Sequence, residues 1–212
     1  GAQRCGTTWL YEVLKSHPDI GVPRNVKEVH FFDRHYDKGV DWYESFFDDS
    51  YEVRGEVTPM YLYDERVPER VSQDVPEAKF VVILRNPAER ANSQYKNAYL
   101  NGETTKETLE AYIDANPNCF DRGLYYRQLK RWFHRFEREQ VQIHVFEDLV
   151  ENPQKATSRL AEFLDVEDRF DLPGEVNSSF QPVFHSLYQV GITLHDFLKK
   201  HELYGMARAL EK

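Results

Sequence analysis

Two glycines, Gly1 and Gly6, are separated by four residues at the start of the chain, and two threonines, Thr7 and Thr8, follow the second glycine. A glycine lets the backbone approach a phosphate closely. The N–H groups of such a loop and of the helix behind it point at the anion, which the helix dipole also attracts. This pattern therefore predicts a loop that binds a phosphate group at the start of a helix.

The positively charged residue of this loop lies at a different position from the lysine of a triphosphate-binding loop. In the nucleoside-triphosphate motif G-x-x-x-x-G-K-[ST], the lysine reaches the β- and γ-phosphates. Here Thr7 occupies the lysine position, and Arg4 places a guanidinium inside the loop. The residues that we expect to contact the anion are Arg4, Cys5, Gly6, Thr7 and Thr8. A strand-to-helix turn that contains glycine and binds nothing is the alternative interpretation.

A second pair of polar residues, Arg85 and Ser93, follows the most apolar segment of the chain. Residues 80–84 are all apolar, which is typical of a central parallel strand buried on both faces. Pro87 suits the first turn of the next helix, and Ser93 lies about two helical turns beyond Arg85. Arg85 and Ser93 can therefore converge on one phosphate. Alternatively, Arg85 caps the helix or pairs with Glu89.

Composition and charge indicate an ordinary globular protein. The chain has 212 residues, of which 41% are hydrophobic and 30% charged, so it can form one α/β domain, 1–212, with a sizeable core. Its net charge of −9 should repel nucleic acid and anionic membranes. Two cysteines, Cys5 and Cys119, are too few for a disulfide framework. We find no membrane-spanning run and no cluster of metal ligands near the loop.

Apolar periodicity predicts helices that alternate with strands. The predicted helices are 7–17, 41–47, 67–75, 87–99, 109–113, 123–136, 153–164 and 195–203, and the predicted strands are 53–57, 79–84 and 141–146. This alternation predicts a three-layer α/β/α fold with a largely parallel central sheet. Because ligands bind at the carboxyl ends of such strands, the loop, Arg85 and residues 56–58 should share one rim. A phosphate loop also follows a strand, so we expect the start of a first strand to precede Gly1.

Several segments together resemble the sulfotransferases that use 3′-phosphoadenosine-5′-phosphosulfate (PAPS). The closest likeness is to the branch that contains the heparan-sulfate glucosaminyl sulfotransferases and their bacterial relatives. Residues 3–8 are similar to the loop K-x-G-T-[ST], residues 27–33 to E-V-H-F-F-D, residues 57–61 to K-[ST]-P-x-Y, and residues 84–95 to R-[DN]-P-x-x-R-x-x-S-x-Y. The segments occur in the family's order, and the resemblance extends from Gly1 to about residue 165.

This resemblance implies transfer of a sulfuryl group from PAPS to a hydroxyl or amine of a glycan, lipid or small-molecule acceptor. The product would be adenosine 3′,5′-bisphosphate (PAP), and no metal would be required. The loop would bind the 5′-phosphosulfate, with Arg4 beside the bridging oxygen, while Arg85 and Ser93 would bind the 3′-phosphate. The alternative function is that of a P-loop-like kinase or a nucleotide-binding regulatory domain, which the absence of a lysine at Thr7 disfavours.

The same resemblance implies that Glu28 removes the proton of the acceptor. Two neighbouring phenylalanines, Phe31 and Phe32, would make this carboxylate a stronger base by excluding water. His30 is the second candidate, because an imidazole accepts a proton near neutral pH. A solvated Glu28 and a His30 hydrogen-bonded in the core are the alternatives without a chemical role.

Three positions depart from the family's pattern. Arg4 replaces a lysine but keeps its charge, whereas Val57 replaces a lysine that contacts the reacting group in the heparan enzymes. Residues 177–188 have no clear match to the lysine-glycine loop that closes over the nucleotide in that branch. For location, the pattern favours the cytoplasm, as for bacterial enzymes, with the Golgi lumen as the alternative if an anchor precedes Gly1.

Overall fold

Helices and short strands alternate in the structure, a computed structural model that describes residues 2–173. The α-helices are α1 (Thr7–Ser16), α2 (Phe31–Arg34), α3 (Val40–Glu44), α4 (Val67–Asp74), α5 (Pro87–Leu100), α6 (Leu109–Ala115), α7 (Pro117–Asp121), α8 (Tyr125–Phe133), α9 (Phe146–Glu151) and α10 (Pro153–Leu164). Short 3₁₀ helices cover Tyr36–Lys38, Pro59–Leu62 and Arg138–Gln140. No helix among residues 2–173 has both the length and the apolar character needed to cross a membrane. The predicted helix 195–203 and the segment 177–188 lie outside the described residues.

The strands form two parallel pairs. They are β1 (Ile20–Gly21), β2 (Val53–Arg54), β3 (Phe80–Leu84) and β4 (Val141–Val145). β1 pairs with β2 and β3 pairs with β4, both in parallel. The backbone N–H of Ala2 donates to the carbonyl of Ile83 over 3.0 Å, which attaches the glycine-containing loop to β3. The predicted α/β fold with parallel strands is confirmed.

Aromatic packing fixes α8 against β3. The ring of Phe80 lies 4.8 Å from that of Trp132 and 4.5 Å from that of Phe136. The apolar stripe of α1 is buried in the same core, through residues that include Leu10 and Val13. This core therefore holds the start of α1 and the end of β3 close together, and these are the two places where the sequence predicts phosphate-binding residues.

The predicted strand 53–57 is shorter than expected. β2 ends at Arg54, and one further backbone bond, from Gly55 N–H to the Gly21 carbonyl over 3.0 Å, continues its pairing with β1. Beyond this point the carboxylate of Glu56 accepts a hydrogen bond from the backbone N–H of Val29 over 3.3 Å. The chain thus leaves the strand pair to contact the segment that carries Glu28 and His30.

Candidate functional site

The glycine-containing loop turns through two residues with left-handed backbone angles, Arg4 with φ 69° and Gly6 with φ 82°. Glycine adopts such angles without strain, whereas other residues do so at a cost. Gly6 is also closely covered, since a Cβ atom there would lie 2.9 Å from the ring of Phe146 at the start of α9. Helix α1 begins directly after it, at Thr7. Both the backbone angle and the close contact require glycine at this position.

The side chains around the loop differ in what they can offer to an anion. Thr8 is exposed, whereas Thr7 is buried. Cys5 is fully buried, and burial raises the pKa of its thiol to about 11, so the thiol stays protonated. The predicted contact of Cys5 with an anion is therefore available only to its backbone N–H.

Arg4 contacts both Arg85 and Ser93, the two other residues that the sequence analysis proposes for the binding of phosphate. The Nε of Arg4 donates to the Ser93 hydroxyl over 3.2 Å, and Nη1 of Arg85 donates to the Arg4 carbonyl over 3.4 Å. The pKa of the Arg4 guanidinium is lowered by burial and by the charge of Arg85, because both disfavour a positive charge there. Arg85 also makes the alternative contact expected from the sequence, with its Nη2 3.8 Å from a carboxylate oxygen of Glu89.

Two further cations reach the loop, and sequence reasoning missed both. Nη1 of Arg122 donates to the side-chain oxygen of Gln3 over 2.5 Å, and burial followed by the charge of Arg90 lowers the pKa of Arg122. The ammonium of Lys27 contacts the loop from another side, through the hydroxyls of Thr7 and Thr8. The only signal for Lys27 in the sequence was its place in the segment 27–33, which resembles the family's motif. No spacing in the sequence links Arg122 to the loop.

The positive groups around the loop are incompletely paired within the part of the chain that the structure describes. The Nε atoms of Arg85 and Arg122 are buried there without a hydrogen-bond partner. Each of the two guanidiniums makes a hydrogen bond through another nitrogen, Arg85 to the Arg4 carbonyl and Arg122 to the Gln3 side chain. A local concentration of positive charge in a protein of net charge −9 is the environment that a phosphorylated ligand needs.

Glu28, His30 and Asp33 form a connected series of side chains. Nδ1 of His30 lies 2.8 Å from a carboxylate oxygen of the buried Asp33, and Nε2 lies 3.3 Å from Oε2 of Glu28. His30 has a left-handed backbone angle, with φ 57°. The two candidate bases therefore contact each other, and Asp33 fixes the orientation of the imidazole.

The expected desolvation of Glu28 by Phe31 and Phe32 was wrong. Both phenylalanines are buried, and the ring of Phe31 stacks on that of Tyr43 at 4.8 Å. The Glu28 side chain is 34% exposed and faces the ammonium of Lys27 at 3.2 Å. The two rings take part in the core because they follow His30 at the start of α2, whereas Glu28 precedes the turn and remains at the surface.

A partly buried carboxylate, Glu56, holds the backbone of this segment in place. Besides the N–H of Val29, it accepts hydrogen bonds from the hydroxyls of Thr58 and of Tyr61, the latter over 2.7 Å. Burial raises the pKa of the Glu56 carboxyl. Burial also raises the pKa of the Tyr61 phenol, and the negative charge of Glu56 raises it further. The phenol therefore remains a donor. Its oxygen also accepts the backbone N–H of Phe32 over 3.3 Å.

No group of three or more His, Cys, Asp or Glu side chains within residues 2–173 is arranged to hold a metal ion. The absence of a metal requirement remains a prediction.

A family model described as the sulfotransferase domain matches residues 1–186, and the chain therefore belongs to the sulfotransferase domain family. The chain is 31% identical over 182 residues to the bifunctional heparan sulfate N-deacetylase/N-sulfotransferase 1 of Caenorhabditis elegans, across 78% of this chain and 21% of that protein. It is 30% identical over 174 residues to the human heparan sulfate glucosamine 3-O-sulfotransferase 3B1, across 77% of this chain and 44% of that protein. The chain therefore spans about a fifth of the length of the first relative and less than half of the length of the second.

Among solved structures, the chain is similar to a sulfotransferase from Alicyclobacillus acidocaldarius, with a TM-score of 0.74 and 28% identity, across 84% of this chain and 85% of that one. It is also similar in fold to the mouse sulfotransferase SULT7A1 complexed with PAP, with a TM-score of 0.53 and 20% identity, across 84% of this chain and 58% of that one. The resemblance stated from the sequence is confirmed, and the kinase alternative is not favoured.

Proposed function

We propose that the chain transfers a sulfuryl group from PAPS to a hydroxyl or amine of an acceptor, and that residues 1–212 form a single sulfotransferase domain. The observation that carries the proposal is the convergence of Arg4, Arg85 and Ser93 beside the loop at the start of α1. PAPS carries phosphate at two positions, so it needs two adjacent anion sites. The loop would bind the 5′-phosphosulfate, and Arg85 with Ser93 would bind the 3′-phosphate. The mouse sulfotransferase of similar fold is complexed with PAP, which supports the choice of nucleotide.

Sulfuryl transfer requires little covalent chemistry from the protein, by analogy with phosphoryl transfer. Catalysis then consists mainly of positioning and charge stabilisation. Arg4 would stabilise the charge that develops on the 5′-phosphate as the bridging bond breaks. Glu28 would take the proton of the acceptor, with His30 as the alternative base. In this proposal no metal takes part.

The acceptor class is a glycan, a lipid or a small molecule. Heparan sulfate occurs in the names of the curated relatives, which supports a glycan. The net charge of −9 and the apolar Val57 favour an acceptor that is less sulfated than heparan sulfate itself. For the location of the protein we propose the cytoplasm, which fractionation of the source cells would test.

The proposal is tested by transfer of labelled sulfate from PAPS across a panel of glycans, lipids, alcohols and amines, with and without EDTA. We expect transfer to at least one class, and equal rates in both conditions. Calorimetry with PAP and with ATP·Mg²⁺ separates the kinase alternative. Binding of ATP·Mg²⁺ without any binding of PAP would overturn the proposed function.

A further inference from the structure

The side chain of Lys27 bridges the start of α1 and the proposed base. Its Nζ lies 3.4 Å from the hydroxyl of Thr7, 3.2 Å from that of Thr8 and 3.2 Å from Oε1 of Glu28. An ammonium group has three hydrogens to donate, and these three oxygens engage all of them. The side chain is 24% exposed, so its charge is partly shielded from solvent.

This position coincides with the path that the proposed reaction requires. In an in-line transfer, the migrating group lies between the leaving oxygen, bound at the loop, and the acceptor, which contacts the base. Lys27 touches both ends, because the hydroxyls of Thr7 and Thr8 belong to the loop end and Glu28 belongs to the acceptor end. Its ammonium therefore lies beside the line along which the group must travel.

Arg4 and Lys27 approach the start of α1 from different sides. Arg4 is engaged with Ser93, on the side of the proposed 3′-phosphate site, through a hydrogen bond of 3.2 Å. Lys27 approaches from the side of Glu28.

We propose that Lys27 is a catalytic residue that contacts the oxygens of the migrating sulfuryl group, an inference that rests on the proposed function. In the structure, Lys27 donates hydrogen bonds to the hydroxyls of Thr7 and Thr8. When PAPS binds, Lys27 would donate these hydrogen bonds to the sulfuryl oxygens instead. The lone pair of the acceptor forms the new bond to sulfur, and the bond between sulfur and the bridging oxygen breaks. Its electron pair stays on the 5′-phosphate, and the acceptor proton goes to Glu28. Lys27 keeps its proton throughout and stabilises the transition state by charge alone.

The test compares Lys27→Met with the wild-type protein. Methionine keeps an unbranched chain but removes the charge. Two quantities are measured: the rate at which PAPS is converted to PAP, with the best acceptor or with water, and the dissociation constant for PAP. PAP lacks the sulfuryl group, so it reports binding of the nucleotide alone. Lys15→Met is the matched control, because Lys15 is an exposed lysine of helix α1 and lies over the ring of Tyr11.

We expect Lys27→Met to lower the rate by about 10²–10³-fold, the loss typical of removing one donor to a developing negative charge. The affinity for PAP should change by less than about twofold, since PAP lacks the sulfuryl group that Lys27 would contact. Lys27→Arg should restore part of the rate, and Lys15→Met should leave both quantities unchanged.

A Lys27→Met protein that turns over at the wild-type rate would overturn the inference alone. A loss of PAP affinity equal to the loss of rate would also do so, because Lys27 would then bind the nucleotide rather than the migrating group. A wild-type protein that neither binds PAP nor consumes PAPS would overturn the proposed function and the inference together.

Discussion

The proton acceptor of the proposed reaction is one of two side chains that touch each other, Glu28 and His30. The carboxylate of Asp33 can only accept a hydrogen bond, so Nδ1 of His30 carries a hydrogen. Nε2 of His30 lies 3.3 Å from Oε2 of Glu28. In the proposed reaction one of these two side chains would take the proton of the acceptor, and substitution can assign which one does.

Glu28→Gln keeps the size and the hydrogen-bonding shape of the side chain but removes its ability to take a proton. If Glu28 is the base, turnover should fall by about 10²–10⁴-fold, while the dissociation constant for PAP barely changes. Steady-state kinetics with PAPS and calorimetry with PAP measure the two effects.

His30→Gln serves as the comparison, because it removes the imidazole, which is the other candidate base. It should reduce turnover less than Glu28→Gln does. The reverse order would assign the proton transfer to His30. A Glu28→Gln protein with wild-type turnover and intact structure would exclude Glu28 from the role.

At the scale of single residues, the sequence pointed to those proposed binding residues that belong to spaced motifs, and it missed the residues that the fold brings beside them. Arg85 directly follows β3 and Ser93 lies in the next helix, α5, so their short spacing relates them to one phosphate. The contacts of Lys27 with Thr7 and Thr8 join positions about twenty residues apart, on either side of most of α1 and all of β1. No periodicity encodes such a contact. The direction of the Arg4 side chain was equally hidden, because it depends on a left-handed backbone angle.

The junction between the loop and α1 depends on the helix that covers it. Phe146, the first residue of α9, packs its ring where a side chain at Gly6 would have to lie. The same ring lies below the guanidinium of Arg85, 4.6 Å from it. One aromatic residue thus shapes the loop and supports the proposed 3′-phosphate site. The sequence placed a strand end and a polar turn here but did not indicate that Phe146 contacts the loop.

Gly6→Ala should weaken PAP binding by at least about tenfold and lower the melting temperature, because the added methyl group meets the Phe146 ring as well as an unfavourable backbone angle. Gly102→Ala is the matched control. Gly102, just beyond the end of α5, also has a left-handed φ, 71°, but nothing lies within 4 Å of its Cβ position. Its substitution should cost only the backbone strain of about 1–2 kcal/mol and leave PAP binding unchanged. Calorimetry and thermal unfolding distinguish the two variants, and equal PAP affinities in both would contradict the role assigned to Phe146.

Element boundaries were predictable where local pattern and tertiary packing agree. Both do for β3, whose five apolar residues match the observed strand Phe80–Leu84, and for α10, which begins at Pro153 and ends at Leu164 as predicted. The predicted strand 53–57 ended early, because the residues after Arg54 make side-chain contacts to the Val29 segment. Such a contact competes with strand pairing and has no signature in a single sequence.

For the molecule as a whole, a buried histidine makes stability depend on pH. His144 lies on β4, and its Nε2 is 2.7 Å from the side-chain oxygen of Gln142. Burial, followed by the charge of Arg159, lowers the pKa of His144 from 6.5 to about 4. The unfolded chain therefore binds this proton at a higher pH than the folded protein does. The stability that neutral His144 contributes to the folded protein is therefore lost as the pH falls from about 6.5 towards 4.

His144→Gln should reduce the pH dependence of stability, since glutamine keeps a neutral hydrogen-bond donor and does not titrate. Between pH 7.5 and pH 5, His144 should account for a loss of about 2 kcal/mol in the free energy of unfolding. Urea unfolding at the two pH values measures this loss in both proteins. An identical loss in the wild type and in His144→Gln would show that the imidazole is not the group responsible.

The contact between Glu56 and Val29 has a consequence for the exchange of backbone hydrogen with solvent. Val29 lies in a stretch without helix or strand, where amide hydrogens usually exchange quickly. Because its N–H donates to the partly buried carboxylate, it should take up deuterium as slowly as an amide of a central strand. In Glu56→Ala, uptake by a peptide that covers residues 26–30 should accelerate, while uptake by α10 stays the same. Unchanged uptake by the first peptide would refute this. Slow uptake would mean that the segment with the proposed base is rigid even though it has no regular secondary structure.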